Sequence, residues 1–249
     1  MICDSHMHLG QYYDLYTTPK ELDAFLEKVG IDAIAVSSTT TCEENFEKVL
    51  NELDALLKIS KKIIVPILWV TPSLLSDRKV LGHMVTHINW KCVKVHPQLC
   101  PSQWDACGRN FQKAVEVAKR LNVPMLIHTG VVQNCHPLQL RPLFERYSDQ
   151  TFIMAHGRPI DETELVLKEV DNTLVDTAFM PTEYIVRLIK DGYEDRILWG
   201  SDYPIIRFLE RNIDAVSYYE NLIKELRANL NDSEFYKITE GNFIQLYNI

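Results

Sequence analysis

A few imidazoles, one lysine and one aspartate are the residues best suited to chemistry in this chain. His6 and His8 form an H-x-H pair near its start, Lys94 and His96 repeat that spacing, and His128, His156 and Asp202 stand singly. Imidazole and carboxylate are the ligands that suit Zn2+ and its first-row neighbours. A catalytic site of that kind keeps one position open for water, whose pKa the metal lowers to about 7 so that a nearby carboxylate can take its proton. Each piece alone has a plainer reading. An H-x-H is more often a satisfied core pair, and an Asp after a strand usually caps a helix or fills a turn. What these residues share is their place at the ends of short apolar runs.

Those runs span residues 2–8, 31–38, 63–70, 92–96, 124–128, 151–156, 173–178 and 196–200, and they are rich in Val, Ile and Leu. They read as parallel strands covered on both faces. Helical patterns fill the gaps, over residues 19–29, 43–60, 74–89, 109–121, 138–147, 161–170 and 181–190, with two more at 213–230 and 232–246. Thr18-Pro19-Lys20-Glu21 reads as a capping box with Pro at the first helical position, and Gly30 and Gly192 sit just past helix ends. Eight strands, each followed by a helix, predict an α/β fold, a (β/α)8 TIM barrel forming a single domain over residues 1–249, with C-terminal helices after strand eight. An open doubly wound sheet would carry a Gly-rich phosphate turn after its first strand, where this chain reads His8-Leu9-Gly10-Gln11-Tyr12. In a barrel the C-terminal strand ends form the active face. The period of two along a strand points His6 and His8 the same way, and Lys94 and His96 likewise. His6, His8, His96, His128, His156 and Asp202 are thus expected at one mouth.

Composition narrows the partners. The 249 residues are 46% apolar and 24% charged, the profile of a globular protein. The net charge of −8 repels phosphate backbones, so nucleic acid is not an expected partner. No apolar run approaches the roughly 20 residues that span a bilayer, and the first residues lack the basic and apolar regions of a signal peptide. A cytoplasmic protein with a small-molecule substrate and no membrane partner is expected, with a homodimer left open. The six cysteines contain no C-x-x-C pair and are expected to be free thiols.

Asp4-Ser5-His6-Met7-His8, Lys94-Val95-His96-Pro97, Leu126-Ile127-His128-Thr129-Gly130, Ala155-His156-Gly157 and Trp199-Gly200-Ser201-Asp202-Tyr203-Pro204 together resemble the amidohydrolase superfamily. The nearest branch is the amidohydrolase 2 group, which includes relatives of aminocarboxymuconate-semialdehyde decarboxylase. The resemblance runs from residue 4 to the Asn242-Phe243 segment. It implies one or two divalent ions, most simply Zn2+, held by His6, His8, His128 and Asp202, with His156 binding a second ion or polarising the substrate and Asp202 doubling as a proton shuttle. Lys94 is either a carboxylated bridge between two metals or a cation that meets the substrate or a nearby carboxylate.

The reading that follows is a metal-dependent hydrolase of a small, carboxylate-bearing amide, lactone or ester. His96, Arg158 and Arg207 are expected to contact the substrate, since a guanidinium at the mouth can fork onto a carboxylate. The alternative is a non-oxidative decarboxylase with the same ligands. Further off stand a TatD-like nuclease or phosphoesterase, which would have Glu where Lys94 stands, and a barrel that binds without catalysing. His83 and His87 share a helix face, but Met84 breaks the H-E-x-x-H pattern. Cys135-His136 falls in the connection after the fifth strand and reads as an ordinary loop or a substrate contact.

Overall fold

The computed structural model describes residues 1–249, apart from the side chain of Pro101. The chain divides into two compact units, one made of Met1–Pro66 and Pro181–Ile249 and the other of Ile67–Met180.

The first unit opens with β1 (Cys3–Tyr12), which turns through Tyr13 and Asp14 into β2 (Leu15–Thr17), an antiparallel partner. The helix α1 (Pro19–Val29) follows. Thr18 and Glu21 form its capping box, and Gly30 ends it in the left-handed conformation, as the sequence predicts. Its Leu22, Phe25 and Leu26 are buried. Strand β3 (Ala33–Ser38) lies parallel to β1, with a register shift between Asp4 and Met7. The predicted helix at 43–60 begins later. A 3-10 turn occupies Thr39–Glu43, and Asn45 caps α2 (Phe46–Ile59). Strand β4 (Ile63–Trp69) pairs with β3 through its first residues, Ile63 to Pro66.

In the second unit, the last residues of β4 pair with β5 (Cys92–Val95), and β6 (Met125–His128), β7 (Phe152–Ala155) and β8 (Thr173–Asp176) extend the sheet, every pair parallel. Between β4 and β5 the single predicted helix is two, α3 (Pro72–Ser76) and α4 (Arg78–His87). Asp77 breaks the pattern because its carboxylate accepts from Lys79 N and Val80 N and so caps a fresh start. The remaining crossovers are α5 (Arg109–Leu121), α6 (Pro137–Arg146) and α7 (Ile160–Glu169). On α5 the buried side chains are Phe111, Ala114, Val115, Val117 and Ala118, one apolar stripe at helical spacing.

The chain then returns to the first unit with α8 (Thr182–Lys190) and β9 (Ile197–Leu198). Four helices come after them: α9 (Ile205–Leu209), α10 (Ala215–Asn229), α11 (Asp232–Tyr236) and α12 (Asn242–Tyr247), the last two joined by a π-helical turn over Lys237–Gly241. All eight predicted strands are present, and only the short β2 is additional. Among the described residues no helix is long and apolar enough to cross a membrane, and all six cysteines are thiols.

The end of β7 shows how tightly the second unit is packed. Gly157 has φ +51, and a Cβ there would lie 2.5 Å from Val175 Cγ2 and 2.6 Å from Met180 Cε. Gly157→Ala should lower stability by about 2 kcal/mol or more, from backbone strain and overpacking. Gly82, inside α4 with nothing within 4 Å of its would-be Cβ, should behave oppositely, Gly82→Ala raising stability by about 1 kcal/mol through helix propensity. Urea denaturation of both variants checks the pair, and equal effects would contradict this packing.

Candidate metal and substrate site

In the first unit, β1 brings His6 and His8 to Asp202. His8 Nε2 lies 3.0 Å and His6 Nε2 3.5 Å from Asp202 Oδ1. The two rings meet edge to face with centroids 5.1 Å apart. His8 is oriented from behind, its Nδ1 standing 2.9 Å from Ser37 Oγ and 3.3 Å from Ser37 O, which leaves Nε2 to face the carboxylate. All three residues are buried. Asp202 Oδ1 is buried yet takes no hydrogen bond. A buried acceptor with no donor costs about 1–3 kcal/mol, more when charged, so this oxygen wants a positive partner.

The backbone around Asp202 is built to hold it there. Asp202 has φ +59, a conformation Asp tolerates better than most residues. Its N–H donates to His6 O at 2.8 Å, and His8 N donates to Tyr203 O at 2.7 Å, so the 199–203 segment runs beside β1. Gly200 permits the approach, because a Cβ there would sit 3.0 Å from His6 Cβ. Tyr203 stacks on Phe25 of α1 with centroids 3.7 Å apart.

Beneath this arrangement lies Asp4, fully buried. Its Oδ1 accepts from His6 N at 2.9 Å and Ser201 N at 3.2 Å, and its Oδ2 accepts from Tyr219 OH at 3.2 Å. Burial pushes its carboxyl up to about 7, while the hydrogen bonds from Ser201, His6 and Tyr219 pull the other way. One side chain therefore ties β1, the Asp202 turn and α10 together. Sequence reasoning passed over Asp4, although it shares the period of two with His6 and His8.

The second unit assembles the other expected residues. Lys94 is 1% exposed, and its Nζ sits 4.8 Å over the Trp69 ring. His96 stacks between neighbours, 5.5 Å from Trp69 and 3.8 Å from His128. His128 Nε2 is 2.8 Å from Gln98 Oε1, and its Nδ1 is 3.0 Å from His156 Nε2. Gln98 and His156 thus engage both ring nitrogens of His128, and His156 Nδ1 lies 3.2 Å from Ala178 O. Burial, with the nearby His96, His156, Lys94 and Arg158, holds the His128 pKa well below its usual value, so this imidazole is neutral. His156 has φ +70, and its N–H donates to Asp176 Oδ1 at 3.0 Å. Asp176 is a second missed residue. It is fully buried at the end of β8, and burial raises its pKa while the charges of His156 and Lys94 pull it down.

Arg158 stands beside His128, its Nε 3.4 Å from Thr129 O. Arg207 lies on α9, where its charge pulls against the burial that raises the Tyr203 pKa. Cys135 is buried, and His136 is engaged at both nitrogens, by Glu162 at 3.0 Å and Val131 O at 3.0 Å. Glu162 raises the His136 pKa. That connection is therefore an ordinary loop held by an ion pair.

The amidohydrolase family (Amidohydro_2) matches residues 3–249. The chain belongs to that family. Among solved structures it resembles an uncharacterized TIM-barrel protein from Bordetella bronchiseptica, with TM-score 0.75 and 13% identity over 98% of this chain and 97% of that one. It also resembles a probable 2-pyrone-4,6-dicarboxylic acid hydrolase from Acinetobacter baumannii, at TM-score 0.71 and 14% identity over 100% and 99%. A 4-oxalomesaconate hydratase from Rhodopseudomonas palustris follows, at 0.67 and 17% over 100% and 96%. No curated protein matches the amidohydrolase chain. These likenesses establish the fold as that of a TIM barrel, in keeping with the strand count. The family and these relatives are largely enzymes, hydrolases prominent among them.

Asp4 supplies a test of how the site is positioned. Asp4→Ala leaves the His6 and Ser201 N–H groups and the Tyr219 hydroxyl without their acceptor and should cost about 2–4 kcal/mol, against about 1 kcal/mol for Tyr219→Phe. Urea titrations of both variants measure this. Losses below about 0.5 kcal/mol in both would show that Asp4 carries no such load.

Proposed function

We propose that this amidohydrolase is a divalent-metal-dependent hydrolase acting on a small carboxylate-bearing ester, lactone or amide. One observation carries the reading. Asp202 Oδ1 is buried and without a hydrogen bond while two imidazole nitrogens face it at 3.0 and 3.5 Å. Two imidazoles and a carboxylate around an oxygen that lacks a donor fit a cation such as Zn2+. Family membership supports the same cofactor, and the sequence resemblance adds His128 to the ligand set.

Bound there, the ion would supply Lewis acidity toward a carbonyl and toward water. The chain's own residues do the rest. Ser37 orients the His8 ring, the outer support that ligating histidines usually have. The Asp202 carboxylate takes the proton of the attacking water and returns it to the leaving group. His156 is assigned to polarising the substrate. Lys94 acts as a cation rather than a bridge in this reading, supported by the Trp69 ring beneath it and by Asp176, whose titration it affects. With Arg158 and Arg207, and with His96 as a further contact, it favours a carboxylate on the substrate.

Protein purified without chelator should contain about one or two divalent ions per chain, as catalytic sites of this kind do. The His6→Ala, His8→Ala double variant should lose them. Against paired carboxylate esters, lactones and amides, Asp202→Asn should lower kcat by about 10²–10⁴-fold with a smaller effect on KM, since the shuttle acts in the transition state. Full metal occupancy in the double variant, or release of CO2 in place of a hydrolysed bond, would overturn the reading.

A further inference from the structure

A group of aromatic residues that follow His8 and Asp202 closely in the chain has no part in the proposed chemistry. Tyr12 ends β1, four residues beyond His8, and Phe208 lies on α9, six residues beyond Asp202. Tyr12 meets Phe208 edge to face with centroids 5.0 Å apart, and Tyr13 stacks on Phe208 at 5.2 Å with 20° between the planes. Tyr12 and Tyr13 are themselves edge to face at 4.9 Å. The three rings thus brace one another in the two geometries that aromatic pairs favour. Tyr13 nevertheless remains 70% exposed.

The local backbone makes this placement unusual. Tyr13 and Asp14 form a two-residue hairpin turn, and Tyr13 has φ +51. Such turns normally put Asn or Gly at positive φ, and a bulky residue there is strained. Strain of this kind collects at ligand clamps and active sites. The turn is also tethered: Arg211 reaches Asp14 at 2.6 Å, joining the hairpin tip to the segment after α9. Burial raises the pKa of the half-buried Tyr12 phenol, with smaller contributions from Tyr13, Cys42 and, last, Asp202. An exposed, braced aromatic surface, built from the end of the strand that carries His6 and His8 and from the helix that follows Asp202, has the chemistry to stack a flat ring.

We propose that Tyr12, Tyr13 and Phe208 form a platform that receives a planar, conjugated ring of the substrate, making ring planarity a specificity determinant of the site. This refines the proposed hydrolase by naming the shape of its substrate, and it rests on that reading only for the role of Asp202. The test is a binding measurement that requires no turnover. Protein carrying 3-fluorotyrosine is titrated with benzoate against cyclohexanecarboxylate, and with benzamide against cyclohexanecarboxamide, so that planarity is separated from charge. Tyr12→Phe and Tyr13→Phe spectra assign the two 19F resonances. Both planar ligands should shift those resonances and bind about fivefold more tightly than their saturated partners, the range expected of one aromatic contact. Phe208→Ala, and Phe208→Leu, which keeps apolar bulk, should abolish the preference without changing metal content. Equal affinity within each pair, a preference that survives both Phe208 variants, or shifts confined to other tyrosines would overturn the proposal. A preference that persists in the metal-free His6→Ala, His8→Ala variant would keep the platform even where the hydrolase reading had failed.

Discussion

The candidate metal site depends on one buried carboxylate. Asp4 has no contact with solvent and is surrounded by donors: the His6 and Ser201 amides and the Tyr219 hydroxyl. A carboxylate accepts at every lone pair, so it alone among side chains of this size satisfies all of them. By doing so it fixes the distance between the strand that carries His6 and His8 and the turn that carries Asp202. The His6 and Asp202 main chains then bond directly, and Gly200 makes room for the contact. Once these are set, the imidazole nitrogens face Asp202 Oδ1 without adjustment, which is the preorganisation a catalytic centre requires.

The second unit applies the same principle to a different end. Asp176, equally buried, accepts the main-chain N–H groups of His156 and Ala178 and so shapes the turn after β7. His156 then contacts His128, and His128 stacks on His96. Burial first, and then the crowding of His96, His156, Lys94 and Arg158, holds the His128 pKa well below its usual value. Lys94, buried over Trp69, contributes to that crowding. In both units a buried acid that takes no part in the proposed chemistry holds the imidazoles that do.

The strands were legible because their Val, Ile and Leu runs have no competing pattern, and the histidines because four of the eight runs, 2–8, 92–96, 124–128 and 151–156, end in one. The hairpin at Leu15–Thr17 was not, since Tyr13-Asp14 lacks the Asn-Gly signature that marks a tight turn. Asp77 hid inside an unbroken helical pattern, and only its capping bonds reveal two helices. Asp4 and Asp176 carry no assigned role in the sequence, although Asp4 opens the Asp4-Ser5-His6-Met7-His8 motif. The signal for Asp4 was present in its shared face with His6 and His8, but burial decides its role, and burial depends on Tyr219, which lies 215 residues away. The aromatic cluster is a further case: Tyr13 acquires meaning only from its φ and its stacking on Phe208.

The central claim is that His6, His8 and Asp202 form one cation-binding group. Anomalous diffraction from crystals grown with Zn2+ tests it most directly. The account predicts a peak about 2.0–2.2 Å from His6 Nε2, His8 Nε2 and an Asp202 carboxylate oxygen. Ordered zinc elsewhere in the crystal, with His6, His8 and Asp202 in contact only with one another and with water, would contradict it.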